Sequence, residues 1–126
     1  MLDEKNELIA KAIIDCAYKV HRRLGPGLLE SVYETCFCHE LHCHGLEFKR
    51  QVAVPINYDG IRFESALRLD VFVEDRIICE LKSVEILLPI FHSQLLSYLR
   101  LTHRRLGFLI NFNVPVIKGG IKRIIL

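Results

Sequence analysis

The sequence predicts a mixed α/β (α+β) domain with elements in the order α-α-β-β-β-α-β-β. Three observations carry that expectation. Apolar residues recur at helical spacing before Gly45 and again between Pro89 and His103. Between Phe48 and Lys82 the spacing changes to alternation, which belongs to strands. Gly25-Pro26-Gly27, Asp59-Gly60 and Gly119-Gly120 fall at the joints between these segments.

Asp3 can cap a first helix, whose positions Ile9, Ala12, Ile13, Cys16, Ala17 and Val20 lie on one stripe. That helix should stop near Leu24, because a C-terminal glycine is followed by a proline that cannot continue it. The spacing predicts a second helix from Leu28 to His44, with Leu29, Val32, Tyr33, Cys36, Phe37 and Leu41 inward. Phe48 to Asn57 alternates through Val52, Val54 and Ile56, and Tyr58-Asp59-Gly60 supplies a tight turn. In the second strand Ile61, Phe63, Leu67, Leu69, Val71 and Val73 point one way and Arg62, Glu64, Arg68 and Asp70 the other. In the third, Ile77, Cys79 and Leu81 oppose Ile78, Glu80 and Lys82. Pro89 suits the first turn of a third helix reaching about His103, with Leu95, Leu96, Leu99 and Leu101 in its apolar stripes. Leu106 to Phe112 reads as a buried strand, and Ile121 to Leu126 as a short last one.

With 126 residues, 51% of them apolar, the chain suits a single domain over residues 1–126. No apolar run approaches the ~20 residues of a membrane helix. Met1-Leu2-Asp3-Glu4-Lys5 lacks the form of a signal peptide, so a cytoplasmic location with reduced thiols is expected. Cys36, Cys38, His39, His42, Cys43 and His44 crowd one segment, but a helix scatters them around its circumference and no zinc-ligand spacing is present. Cys36 and Cys43 are expected as core or half-buried thiols, with the histidines at the surface. Charge is divided: residues 1–75 hold 9 Lys and Arg against 13 Asp and Glu, a net −4, and residues 76–126 hold 8 against 2, a net +6. On charge alone an uneven solvated surface is the favoured reading; the alternative is a polyanionic substrate approaching a bound cation, which a basic half beside an acidic pocket suits. Arg100, Arg104, Arg105, Lys118, Lys122 and Arg123 are the candidate phosphate contacts.

The chemistry centres on Glu80 and Lys82, which interrupt an apolar strand at alternate positions so that both heads emerge on one face. Asp70 of the preceding strand can join them. Converging carboxylates suit Mg²⁺ (or Mn²⁺), which takes oxygen ligands. A lysine beside them can orient or deprotonate a metal-bound water, while the metal stabilises charge on a phosphate. A salt bridge among Asp70, Lys82 and Arg68 is the plainer use of the same residues. Glu30 in the first turn of the second helix is a dipole-complementing acid or a further ligand reaching in. Gln94 and Tyr98 share a face of the third helix and can aim polar groups at the same place.

Strand parity decides whether Asp70 meets Glu80, because directly opposed residues project to one face. A two-residue turn at Glu74-Asp75 pairs Asp70 with Cys79. A three-residue turn over 74–76 pairs Val73 with Ile77, Val71 with Cys79, Asp70 with Glu80 and Leu69 with Leu81. The apolar rows match only in the second register, so an odd-length loop or a bulge is expected at residues 74–76, with the Asp70 and Glu80 carboxylates close enough to share one cation.

Taken together, these residues resemble a known family. Val20-His21-Arg22-Arg23-Leu24-Gly25-Pro26-Gly27 leading into Gly27-x-x-Glu30-x-x-Tyr33 resembles the hallmark of the small bacterial and archaeal GxxExxY proteins. Asp70, Glu80-Leu81-Lys82, Gln94-x-x-x-Tyr98 and Gly107-Phe108-Leu109-Ile110-Asn111-Phe112 match the rest of that pattern in order. The family is similar to the PD-(D/E)xK nucleases, and its Gln-x-x-x-Tyr helix to that of the RecB-type and phage exonuclease branch. Leu69 stands where the superfamily motif has a proline. The resemblance implies a restriction-endonuclease-like αβββαβ core with an extra N-terminal helix. It further implies a divalent metal held by Glu30, Asp70, Glu80 and the main-chain carbonyl of Leu81. Lys82 would serve the attacking water, and Gln94 and Tyr98 would touch the phosphate or brace the site.

The expected function is therefore Mg²⁺-dependent hydrolysis of nucleic acid, DNA in particular. The alternative is a nucleic-acid or protein binding module on the nuclease scaffold. The chain is close to the minimum core, so a homo-oligomer or a partner protein would complete its grip on a duplex.

Overall fold

A computed structural model describes residues 3–126. Met1 and Leu2, on which the signal-peptide expectation falls, lie outside the described residues. The elements are α1 (Glu4–Leu24), α2 (Glu30–Cys43), β1 (Phe48–Tyr58), β2 (Ile61–Val73), β3 (Ile77–Lys82), α3 (Pro89–Thr102), β4 (Leu106–Asn111), a 3₁₀ turn (Ile117–Gly120) and β5 (Ile121–Ile125). The expected class and order are present, with α1 preceding an αβββαβ core. Asp3 caps α1 by accepting from the Asn6 N–H at 2.8 Å. Gly25, at φ +69°, ends it.

One five-stranded sheet has the order β1-β2-β3-β4-β5. Neighbouring strands are antiparallel except β3 and β4, which are parallel and connected through α3. α1 and α2 cover one face, where Ile13, Ala17, Tyr33, Phe37 and Leu41 pack on Val71, Val73, Ile77, Cys79 and Phe108. α3 covers the other, with Leu95 and Leu99 on Leu67, Leu69, Phe72, Ile78 and Leu109. A Cβ at Gly107 would stand 3.0 Å from a Leu95 methyl, so the bare glycine lets α3 lie close on β4.

The strand faces depart from simple alternation. Leu67 and Leu69 pack under α3, whereas Val71 and Val73 pack under α1 and α2. The expected single apolar row of β2 is thus split at Asp70. β1 turns over beside it, since Phe48 joins the first core and Val52 the second. Between them Gln51 has φ +51°, a left-handed conformation that reverses the pleat. Both strands turn together, so the register survives: Arg50 pairs with Val71 and Val52 with Leu69.

Past Leu67, β1 and β2 continue as a two-stranded ribbon. Its register slips between Val54 and Ile56, at Pro55, which lacks an N–H for the ladder. The expected Asp-Gly turn closes it, with Asp59 and Gly60 both at positive φ. Ile61 and Phe63, expected inward, are more than half exposed on the outer part of the ribbon, whereas Val54 and Ile56 still pack partly on the second core. Leu29 is also exposed, as the extended residue before α2, which begins at Glu30 rather than Leu28. Val32 is 38% exposed because Tyr33, Phe37 and Leu41 form the inward stripe. Leu101 stands two residues, some 200° of helix, past the buried Leu99.

Candidate functional site

The connection from β2 to β3 has the expected three residues. Glu74 and Asp75 both take φ +54°, and the Arg76 N–H donates to the Val73 carbonyl. Val73 pairs with Ile77, Phe72 with Ile78 and Val71 with Cys79. There the pairing stops and the two strands part. Asp70 is next to that fork on one strand and Glu80 on the other, and each carboxylate fills the gap. Glu80 Oε2 accepts from the Asp70 N–H at 2.8 Å, and Asp70 Oδ2 accepts from the Leu81 N–H at 2.9 Å. Backbone donors that lose a ladder partner must find another acceptor, and here the acceptors are the two acids themselves. The expected neighbours Leu69 and Leu81 end in different cores, because β2 has turned over between them.

Crowding these acids out of water makes ionisation costly. Burial above all, then the Asp70 charge, raises the Glu80 carboxyl to about 8. Burial likewise raises Asp70, opposed by the Leu81 N–H. Glu30 sits at the first position of α2, exposed; partial burial and then Asp70 raise its carboxyl. Lys82 is half-buried, with Nζ 4.5 Å from the centre of the Phe91 ring, and its charge pulls Glu30, Asp70 and Glu80 down. From α3, Tyr98 also faces this place: burial, then Glu80 and Asp70, raise its phenol. Gln94, one turn earlier, is exposed and makes no hydrogen bond among the described residues.

A framework of loops sets these groups. The Tyr33 hydroxyl donates to the Gly25 carbonyl at 2.6 Å and accepts from the Leu28 N–H, while its ring stacks on Phe112 at 4.7 Å. It thus pins the turn that delivers Glu30. Ser83 Oγ donates to the Leu28 carbonyl, and the buried Asn111 side chain holds both backbone groups of Val84. The segment just past Lys82 is therefore tied to the loop before α2 and to the end of β4.

A sequence model of the PD-(D/E)XK nuclease superfamily matches residues 7–124. The chain belongs to that superfamily. No curated protein and no solved structure gave a match. Members of the PD-(D/E)XK superfamily usually hydrolyse phosphodiester bonds and generally depend on a divalent metal, so a nuclease-like function is supported. The donor set suits such a cation in chemistry: three carboxylates that repel one another, with Asp70 and Glu80 each keeping one oxygen clear of backbone donors. The geometry is open, since among the described residues no three His, Cys, Asp or Glu are gathered to hold a metal ion.

Sequence reasoning missed Glu34, which is 7% exposed, one turn after Glu30 on the same helix face. That spacing was a usable signal. It also missed Gln51, whose left-handed backbone leaves no mark in composition or periodicity. Among the thiols, Cys36 is half-buried, but Cys43 is exposed because it lies on the last turn of α2, past the core. Burial pushes Cys16 and Cys38 up to about 12 and Cys79 well above the usual thiol range, which leaves no buried thiolate nucleophile. No helix among the described residues is long and apolar enough to cross a membrane.

The expected phosphate contacts divide. β4 runs parallel to β3, with Leu106 beside Ile77 and Asn111 beside Lys82. Arg104 and Arg105 therefore lie at the far end of the strands from Lys82, ~17 Å away at 3.3 Å per residue. They are also engaged, Arg104 with Asp75 and the Phe72 ring, and Arg105 with the Leu126 carbonyl. Arg123 pairs with Glu7. Lys118 lies at the Asn111 end, with Arg22 and Arg23 of α1, whose neighbour His21 bonds the Val114 carbonyl at 2.7 Å.

Proposed function

We propose that this chain is a metal-dependent nuclease acting on nucleic acid, DNA in particular, as a single cytoplasmic domain of the GxxExxY branch. The observation that carries the reading is the strand fork, where Asp70 and Glu80 are drawn together next to Lys82. Asp70 and Glu80, with Glu30 from α2 and the main-chain carbonyl of Leu81, would hold Mg²⁺ or Mn²⁺. When bound, the cation supplies charge neutralisation at the phosphate under attack. Lys82, held over Phe91, orients the attacking water and shares in its deprotonation. Tyr98 and Gln94 face the phosphate from α3. The Tyr33 clamp on Gly25 and Leu28 sets the turn from which Glu30 would reach the cation. A second copy or a partner protein would extend the grip on a duplex.

A binding module without chemistry is the second reading, and the open arrangement of the three acids favours it. Cleavage decides between them. Labelled single- and double-stranded DNA and RNA are incubated with Mg²⁺ or Mn²⁺ beside Lys82→Ala. The nuclease reading expects cutting by the wild type, abolished in Lys82→Ala. It also expects a metal-dependent rise in melting temperature by mass action, absent in Asp70→Asn. Binding without cutting by the wild type would favour the module, and a metal shift surviving in both Asp70→Asn and Glu80→Gln would remove these ligands.

A further inference from the structure

α2 and β1 meet in a polar contact that the proposed reaction does not use. Glu34 is buried, and its Oε2 accepts from the Arg50 guanidinium at 3.0–3.1 Å. Its Oε1 accepts from Gln51 Nε2 at 2.8 Å. Gln51 is the residue whose φ of +51° turns β1 over. The pairs Arg50–Val71 and Val52–Leu69 flank it, so Gln51 lies directly across from Asp70. A carboxamide carries two N–H donors, and Glu34 takes one of them.

We propose that Gln51 is a positioning residue for Asp70, its carboxamide bridging the Glu34 and Asp70 carboxylates and fixing Asp70 in the fork. The inference rests on reading Asp70 as a cation ligand. The residue type suits the task. A lysine or arginine here would neutralise the charge that a cation needs, and a carboxylate would repel both neighbours. An amide donates to two acids and leaves their charge in place. The Arg50 guanidinium answers the Glu34 charge, so the buried acid serves as a fixed anchor. The left-handed backbone directs the side chain at position 51 to the Glu34 side of β1.

The test separates the backbone from the amide. Glycine accepts φ +51° without strain, so Gln51→Gly keeps the turnover of the strands and removes only the bridge. Three readings are taken: the ¹³C signal of the Asp70 carboxyl in chelator-treated protein, Mn²⁺ affinity by calorimetry, and kcat and KM on an oligonucleotide. The expected result is a melting temperature at or above wild type, a displaced Asp70 signal, and Mn²⁺ affinity and kcat each lowered about 10–100-fold. KM should stay within about twofold, since the amide does not touch substrate. An Asp70 signal and Mn²⁺ affinity unchanged in Gln51→Gly would overturn the proposal. Should that variant fail to fold, Gln51→Asn tolerates the same backbone but is one methylene too short to bridge, and the same outcomes apply to it. A displaced Asp70 signal in a chain whose wild type neither binds Mn²⁺ nor cuts would uphold the bridge and overturn the nuclease reading instead.

Discussion

Glu80 carries the largest electrostatic cost at the fork. In the unfolded chain its carboxyl ionises near 4.5, whereas in the folded chain burial and then Asp70 raise it to about 8. The folded state holds the proton more tightly, so this group's contribution is complete below pH 4.5 and disappears as pH rises through about 8. With metal chelated, stability should fall across that window by a few kcal/mol at most, on the order of 1.4 per pKa unit. Glu80→Gln should flatten the profile; a wild-type denaturation series flat from pH 5 to 9 would contradict the raised carboxyl. Tyr33 makes a different case. Tyr33→Phe keeps the stack on Phe112 but leaves the Leu28 N–H and Gly25 carbonyl without their partner. About 1–3 kcal/mol should be lost in urea denaturation. The motif spacing named Tyr33 and Glu30 together; that the phenol serves the turn before Glu30, and not the reaction, depends on contacts that only folding creates.

Among elements, β4 and the turn after it tolerate least. A Cβ on Gly120 would stand 2.1 Å from the Asn111 carbonyl oxygen, which is backbone and cannot swing away. A Cβ on Gly107 would meet Leu95 methyls at 3.0 and 3.1 Å, which can shift, and the Ile78 carbonyl oxygen at 3.1 Å, a much milder backbone approach than at Gly120. Gly120→Ala should therefore cost about 3 kcal/mol and Gly107→Ala about 1, compared by denaturant midpoint; the reverse order would refute the contact argument. Asn111 also holds the segment after Lys82, so Gly120→Ala should loosen the fork as well. The helices and strands were legible because period 3.6 and period 2 come from burial on one face. The register of β2 on β3 was legible too, since only a three-residue turn matches the apolar rows through Val71 and Cys79. The turnover at Asp70 was not. Its one backbone mark is the positive φ of Gln51 on the neighbouring strand, an angle that neither composition nor periodicity encodes.

For the molecule as a whole, the formal division of charge overstates the basic face. Arg104 and Arg105 sit in internal contacts at the far end of the strands and Arg123 is paired with Glu7, whereas Lys118, Arg22 and Arg23 lie at the Asn111 end of the sheet. Nucleic-acid affinity should fall with salt by about one log-log unit per phosphate contact. Neutralising Arg22, Arg23 and Lys118 should reduce that slope, while neutralising Arg104 and Arg105 should leave it nearly unchanged. Titrations at several salt concentrations distinguish the two sets, and a slope lost with Arg104 and Arg105 would reverse the assignment. The uncovered β1–β2 ribbon adds a consequence in time rather than in charge. Its outer hydrogen bonds have strand partners on one side only, and no helix rests on Tyr58, Ile61 or Phe63. A two-stranded ribbon is marginal by itself, so its amides should trade hydrogen for deuterium through small openings that leave both cores shut. The same strands that are slowest to open at Val71 and Val73 are then the quickest at Tyr58 and Ile61, and Asp70 sits where the slow half gives way to the fast one.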